Sequence, residues 1–242
     1  MKKTILGEKT HYYTNAIDNF DVFMNTLKEL GSVESIEGDD VNLWKTWTSS
    51  NDNNFIYGQT RTFSIESIKN AKNETTNKSK YIYDAVMTTF YNVCKEYASS
   101  IGDHEEPNLF PTFNIKKYNP GLSMGSHFDQ LDGDNTLRYS LVMYLNDDYE
   151  GGEISFQLKD YDGGWTSTDG WFQGAPSVDM DYDVAVKNKS IDFGVKPESN
   201  SVIIFPSSAP YFHTAHTVKT GFKYMVPGHW IHNDMDFHKR PQ

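Results

Sequence analysis

The 242-residue chain has one cysteine, Cys94, so no intrachain disulfide can form. The same scarcity excludes a zinc site closed by four thiolates. Arginine is nearly as rare, at Arg61, Arg138 and Arg240 only, and 22 Lys and Arg face 33 Asp and Glu for a formal net charge of −11. A chain of that sign has no general attraction for a nucleic-acid backbone, which is held by clustered Lys and Arg. No apolar run approaches the roughly 20 residues of a membrane span. The opening Met-Lys-Lys-Thr-Ile-Leu-Gly-Glu has charge but no apolar stretch of signal-peptide length. Together these absences predict a protein of a reducing, cytoplasmic compartment with no membrane partner. No His-Glu-x-x-His is present, so a metal hydrolase has no evident general base. Gly151-Gly152 is followed by a strand pattern, not a helix start, which excludes a phosphate-cradling loop.

What is present is aromatic and strand-forming. Phe, Trp and Tyr make up 14% of the chain, which suits a β-rich interior. No repeat or composition break marks a second domain, so one domain over 1–242 is expected, with a core large enough to stand alone. Two helices stand out. Phe20, Phe23, Leu27 and Leu30 step by three or four, with Asn15 or Asp18 as a cap and Gly31 as a stop. Ile82, Val86, Phe90, Val93, Tyr97 and Ile101 form a second stripe over 81–101, ended by Gly102. Such a stripe reads as core, and Cys94 within it as a small buried apolar residue. Residues 64–79 read as an exposed linker, and 10–13 as a short strand.

From Thr112 onward the pattern is strands and turns. Thr112–Tyr118, Arg138–Leu145, Glu153–Gln157, Ile191–Val195, Ser201–Phe205 and Phe222–Pro227 are the predicted strands. Arg138–Leu145 is nearly all apolar and so central. His127 and Asp129 are two apart, which in extended chain points both to one side. Two ligands do not hold a metal, and His213 and His216 are the candidates for a third. Two imidazoles and a carboxylate on one side of an octahedron leave open positions, the arrangement of non-haem Fe(II) that handles oxygen.

The stretch from His213 to Tyr224 resembles the second half of the iron/2-oxoglutarate dioxygenase pattern, in its prolyl 4-hydroxylase branch. There the distal His is followed ten residues later by Lys or Arg, just after a Gly turn, as His213, Gly221 and Lys223 stand here. His216 would break that spacing and reads as a histidine near the site. The resemblance runs over about 112–231, through Tyr118-Asn-Pro-Gly121, His127-Phe-Asp129, Tyr139 to Asp147, Glu150-Gly-Gly-Glu-Ile-Ser-Phe156 and Val202-Ile-Ile-Phe-Pro206. It implies a double-stranded β-helix (jelly roll) with the N-terminal helices on the larger sheet, about 1–111 acting as support. It implies Fe(II) on His127, Asp129 and His213, with 2-oxoglutarate and O2 as cosubstrates and ascorbate as an accessory reductant. Lys223, helped by Tyr118 and Tyr144, would hold the far carboxylate, since a buried dianion needs a fixed cation and donors.

The implied activity is hydroxylation of a C–H bond, foremost of a prolyl residue in a peptide or protein, with succinate and CO2 released. Another residue, a small molecule or a nucleobase is the alternative substrate. A non-catalytic jelly-roll binding module is the alternative of another class. A related halogenase lacks the carboxylate ligand, which Asp129 supplies here. The family often starts the strand before Tyr-Leu-Asn with Arg; here Leu137 stands there and Arg138 one place on, so Arg138 is a substrate candidate.

Trp230 is expected to wall the pocket, while His229, His232 and His238 read as surface residues. About 158–190 reads as an acidic insertion whose Trp165 or Trp171 would grip substrate as a lid. Its Asp179-x-Asp-x-Asp183 falls short of a calcium loop, with Val184 and Ser190 at positions that need Gly and Glu. The expected assembly is a monomer or weak dimer.

Overall fold

The computed structural model describes residues 1–31, 45–48, 56–64, 74–130, 136–160 and 175–232. Trp165 and Trp171 therefore lie outside the described residues. In chain order the elements are β1 (Lys2–Gly7), β2 (Thr10–Thr14), α1 (Phe20–Gly31), β3 (Lys45–Thr48), β4 (Ile56–Ser64) and α2 (Glu74–Ile101). Next come β5 (Thr112–Tyr118), β6 (Met124–His127), β7 (Leu137–Tyr144), β8 (Glu150–Gly151), β9 (Ile154–Leu158) and α3 (Tyr182–Lys187). The chain closes with β10 (Phe193–Val195), β11 (Ser201–Pro206), β12 (Tyr211–Ala215), β13 (Val218–Thr220) and β14 (Lys223–Ile231).

A major sheet runs β1-β2-β11-β7-β14-β5-β4-β3 and a minor sheet β10-β9-β12-β6, with β13-β8 as a short ribbon. The chain thus builds the expected jelly roll, and its first strands join the larger sheet directly. Both central strands β7 and β11 are buried on their two faces, as their apolar runs predict.

The major sheet has two coats. On its outer face Leu141, Met143, Val226 and Trp230 pack with Phe23, Leu27 and Leu30 of α1 and Val86, Phe90, Val93 and Tyr97 of α2. On its inner face Tyr118, Val142, Tyr144, Ile203, Phe205 and Met225 meet Ile154 and Phe156 of the minor sheet. Burying one such side chain contributes roughly 1.5–3 kcal/mol before entropy is counted. The close approach of β14 to α2 depends on Gly228. A Cβ there would fall 2.4 Å from the Phe90 ring.

Helix α2 begins seven residues earlier than its apolar stripe predicts, inside the expected linker. Glu74–Lys80 has no stripe of its own, but Lys78 bridges Glu74 at 2.8 Å and Glu29 of α1 at 3.1 Å, and Lys80 pairs with Asp84. Each exposed pair contributes little; the turn forms as an extension of an already nucleated helix. The predicted stop holds: Gly102 takes φ +73° and Asp103 N donates to Ala98 O at 2.9 Å.

The described end of the acidic insertion is structural. Asp181 caps α3 by accepting from Asp183 N and Val184 N, and pairs with Lys219 at 3.0 Å. The segment is tied to the back of the minor sheet. Thr217 N donates to Met180 O at 2.9 Å, and His216 Nδ1 contacts the same carbonyl at 3.3 Å. His216 Nε2 faces Ser155 Oγ at 2.7 Å, and Gln157 and Ser126 continue the buried chain.

Candidate metal centre

The turn out of β6 and the middle of β12 bring the predicted triad together. His213 and His127 are register partners across the minor sheet, and their ring centroids are 4.2 Å apart. Asp129, two residues past His127, places Oδ1 3.7 Å from His127 Nε2 and Oδ2 3.8 Å from His213 Nε2. The three candidate ligand atoms lie within 4.8 Å of one another, a spacing one ion could bridge. Among the described residues this is the only such group of His, Cys, Asp or Glu.

The second nitrogens set the ring orientation. His127 Nδ1 contacts Gly125 O at 2.7 Å and His213 Nδ1 contacts Tyr211 O at 3.5 Å. A carbonyl only accepts, so Nδ1 carries the proton and Nε2 keeps its lone pair for the cavity. Burial and the neighbouring His127 pull His213 down to about 3, so at neutral pH its ring is uncharged. Burial alone would raise Asp129, but the nearby His213, His229 and His127 rings and the Ser140 hydroxyl outweigh it and hold the carboxyl well below its usual range. The centre is therefore ionised as a metal requires. His216, the rival third ligand, is committed to Ser155 and Met180 on the other side of the minor sheet.

Lys223 starts β14 opposite Tyr118 and is 2% exposed. Its Nζ donates to Gly152 O at 2.6 Å and lies 5.6 Å and 5.1 Å from the ring centroids of Tyr118 and Tyr144. Burial pulls this amine down to about 7, against the pull of Glu153. Tyr144 is raised well above its ordinary value by burial and by Tyr149, Tyr12 and Tyr118 close by. The Tyr144 phenol therefore remains a donor. Phe156 and Phe205 touch the His213 ring and belong to the same buried cluster as Tyr118 and Tyr144, so one apolar wall joins the two polar ends.

The substrate candidates are corrected in part. Arg138 pairs with Asp103 at 2.7 Å and with Glu105, and its guanidinium lies over the Tyr139 and Trp230 rings. Two acids and two aromatic faces hold it beside the turn that ends α2. Trp230 is fully buried in the helix-packed core, because it sits an odd number of residues from Lys223 and so faces the other way. His229, expected at the surface, takes the inward position instead. It is the register partner of Ser140, and burial lowers its pKa and disfavours its charged form. Tyr149 also stands near Lys223, since a Cβ on Gly152 would meet Tyr149 at 2.9 Å and Lys223 at 3.2 Å.

Residues 113–232 match the family model described as the 2OG-Fe(II) oxygenase superfamily. A search of curated proteins found no match. Among solved structures, an oxidoreductase of the 2OG-Fe(II) oxygenase family from Burkholderia pseudomallei superposes with TM-score 0.56 at 12% identity, covering 95% of this chain and 88% of that one. A Pseudomonas putida prolyl-4-hydroxylase gives 0.51 at 13%, covering 93% of each. A Trichoplax adhaerens prolyl hydroxylase, solved with a hypoxia inducible factor peptide fragment, gives 0.53 at 9%, covering 92% and 83%.

Proposed function

Through residues 113–232 this chain belongs to the 2OG-Fe(II) oxygenase superfamily, and from that premise we propose that it hydroxylates a prolyl residue of a peptide or protein. The observation that carries the reading is the pairing of an open His127-Asp129-His213 triad with a buried Lys223 across one cavity wall. A bound ferrous ion supplies the redox chemistry, in which O2 and 2-oxoglutarate become succinate, CO2 and one oxygen atom inserted into a substrate C–H bond.

The residues do the rest. His127, Asp129 and His213 would hold the ion from one side and leave the opposite positions open. Their donor set fits iron: two imidazoles presenting Nε2, and one ionised carboxylate. Lys223 would hold the far carboxylate of 2-oxoglutarate, with Tyr118 and Tyr144 as donors on either side. The anion restores the ammonium charge that burial disfavours, so occupant and lysine stabilise each other. The apolar wall of Phe156 and Phe205 keeps water from the space between. The prolyl assignment rests on the His213-to-Lys223 spacing and the surrounding motif, and the solved prolyl hydroxylases contribute the fold alone.

The test is an anaerobic titration with Fe(II) and 2-oxoglutarate, then oxygen and a panel of proline peptides. Succinate release and a peptide mass gain of one oxygen atom are expected, and Asp129→Ala is expected to abolish both. Succinate formed without any oxidised peptide would remove the prolyl assignment.

A further inference from the structure

The back of the minor sheet carries a buried polar chain directly behind the metal centre. Successive residues of a strand point to opposite faces. Ser126 therefore stands behind His127, and Thr214 behind His213. Both are buried, as are Ser155 and Gln157 of β9 and His216. Gln157 lies opposite Phe212 of β12, and β12 separates β9 from β6. Its side chain nonetheless reaches across β12. Gln157 Oε1 accepts from Ser126 Oγ at 3.1 Å and from Thr214 Oγ1 at 3.5 Å. One amide oxygen thus meets both strands that carry the imidazole ligands.

The direction of the chain is fixed from its far end. Met180 O only accepts, so the His216 Nδ1 that contacts it at 3.3 Å carries the proton, and Nε2 accepts from Ser155 Oγ at 2.7 Å. Ser155 Oγ, its own proton directed at His216, accepts from Gln157 Nε2 at 3.1 Å. The amide can then present only its oxygen to Ser126 and Thr214. A buried chain satisfied at every link is rigid, and rigidity matters at this place. Among the described residues β6 has β12 as its one neighbour, and the register between them shifts between His213 and Ala215. Such an irregular ladder holds the His127 strand less firmly than a regular one.

We infer that Gln157 is a positioning residue for the metal centre. By clasping Ser126 and Thr214 across β12, it sets how closely His127 and Asp129 approach His213, and through that spacing the affinity for the ion. This rests on the oxygenase reading of the triad and adds to it a support on the opposite face of the sheet.

Anaerobic titration of the metal-free protein with Co(II), followed by visible absorption, tests the triad and the clasp separately. Wild type is expected to bind Co(II); no binding overturns the triad, and the clasp with it. Ser126→Ala removes a single oxygen and is expected to keep the fold, as read from the denaturant midpoint of the metal-free protein. It is expected to weaken Co(II) binding about tenfold and to shift the absorption band. Gln157→Leu, close in volume, is expected to weaken binding by as much or more. The double variant is expected to be no worse than Gln157→Leu alone, because both changes cut the same link. Thr214→Val is expected to cost less, since its contact is longer. Wild-type Co(II) affinity and band in Ser126→Ala and Gln157→Leu, with or without a lowered midpoint, overturn the positioning role. Losses that multiply in the double variant overturn it as well.

Discussion

The two faces of β14 differ sharply in what they hold. Toward the minor sheet it presents Lys223, Met225 and His229; toward the helices it presents Tyr224, Val226, Gly228 and Trp230. The inward face holds a cation that burial pulls toward neutrality and an imidazole nitrogen with no partner. The outward face is close-packed and apolar, tight enough that a methyl group at Gly228 would collide with Phe90. A period of two residues thus separates chemistry from stability along a single strand. Inward groups hold unfavourable states that a ligand relieves, and outward groups supply packing that tolerates them.

That contrast is open to direct attack. The largest effect is expected on the outward face. Trp230→Ala removes a fully buried side chain and should cost about 3–5 kcal/mol of unfolding free energy, read from a denaturant midpoint, while the folded fraction keeps its affinity for 2-oxoglutarate. A loss of that affinity would break the separation. Next, Lys223→Ala should raise the 2-oxoglutarate requirement by about a hundredfold, since it leaves a buried carboxylate unpaired. Its effect on the denaturant midpoint should be small or stabilising, because the lysine is a buried cation held against its preference.

The smallest effect sharpens the comparison by pH. Burial lowers Lys223 from the ordinary lysine value of 10.5 to about 7 in the folded protein. Above about pH 7 the empty pocket holds a neutral amine, and binding the dianion must take up a proton. The 2-oxoglutarate affinity should therefore fall as pH rises above about 7, by up to about tenfold per unit, and Lys223→Ala should flatten that slope. For stability the sign is opposite: the unfolded chain keeps the proton up to about 10.5, so the contribution of this group is gained above that pH and lost as pH falls through about 7.

Much of this was legible in the residues, and the reasons are specific. Thr112–Tyr118 was bounded correctly because Asn119-Pro-Gly121 stops it. The triad and Lys223 were legible because an i,i+2 pair and a ten-residue interval carry their own geometry. Trp230 and His229 were misjudged for one shared reason. Counting by twos from Lys223 puts His229 inward and Trp230 outward, whereas residue type alone points the other way, a large aromatic suggesting a pocket wall and a lone histidine suggesting the surface. Arg138 was misplaced because its partners, Asp103 and Glu105, are more than thirty residues away in the chain. The early start of α2 was hidden because Asn and Thr are poor helix formers and the Lys78 to Glu29 bridge joins two different helices.

Among the described residues β6 has one neighbour, β12, and forms the rim of the minor sheet. His127 and His213 face each other across that single seam. An ion seated between them would rivet the rim strand, giving β6 a fastening that a second flanking strand would otherwise provide. Metal loading and the fraying of this border then become one equilibrium, so a chelator would loosen the margin of the sandwich before it disturbed the helix-backed interior.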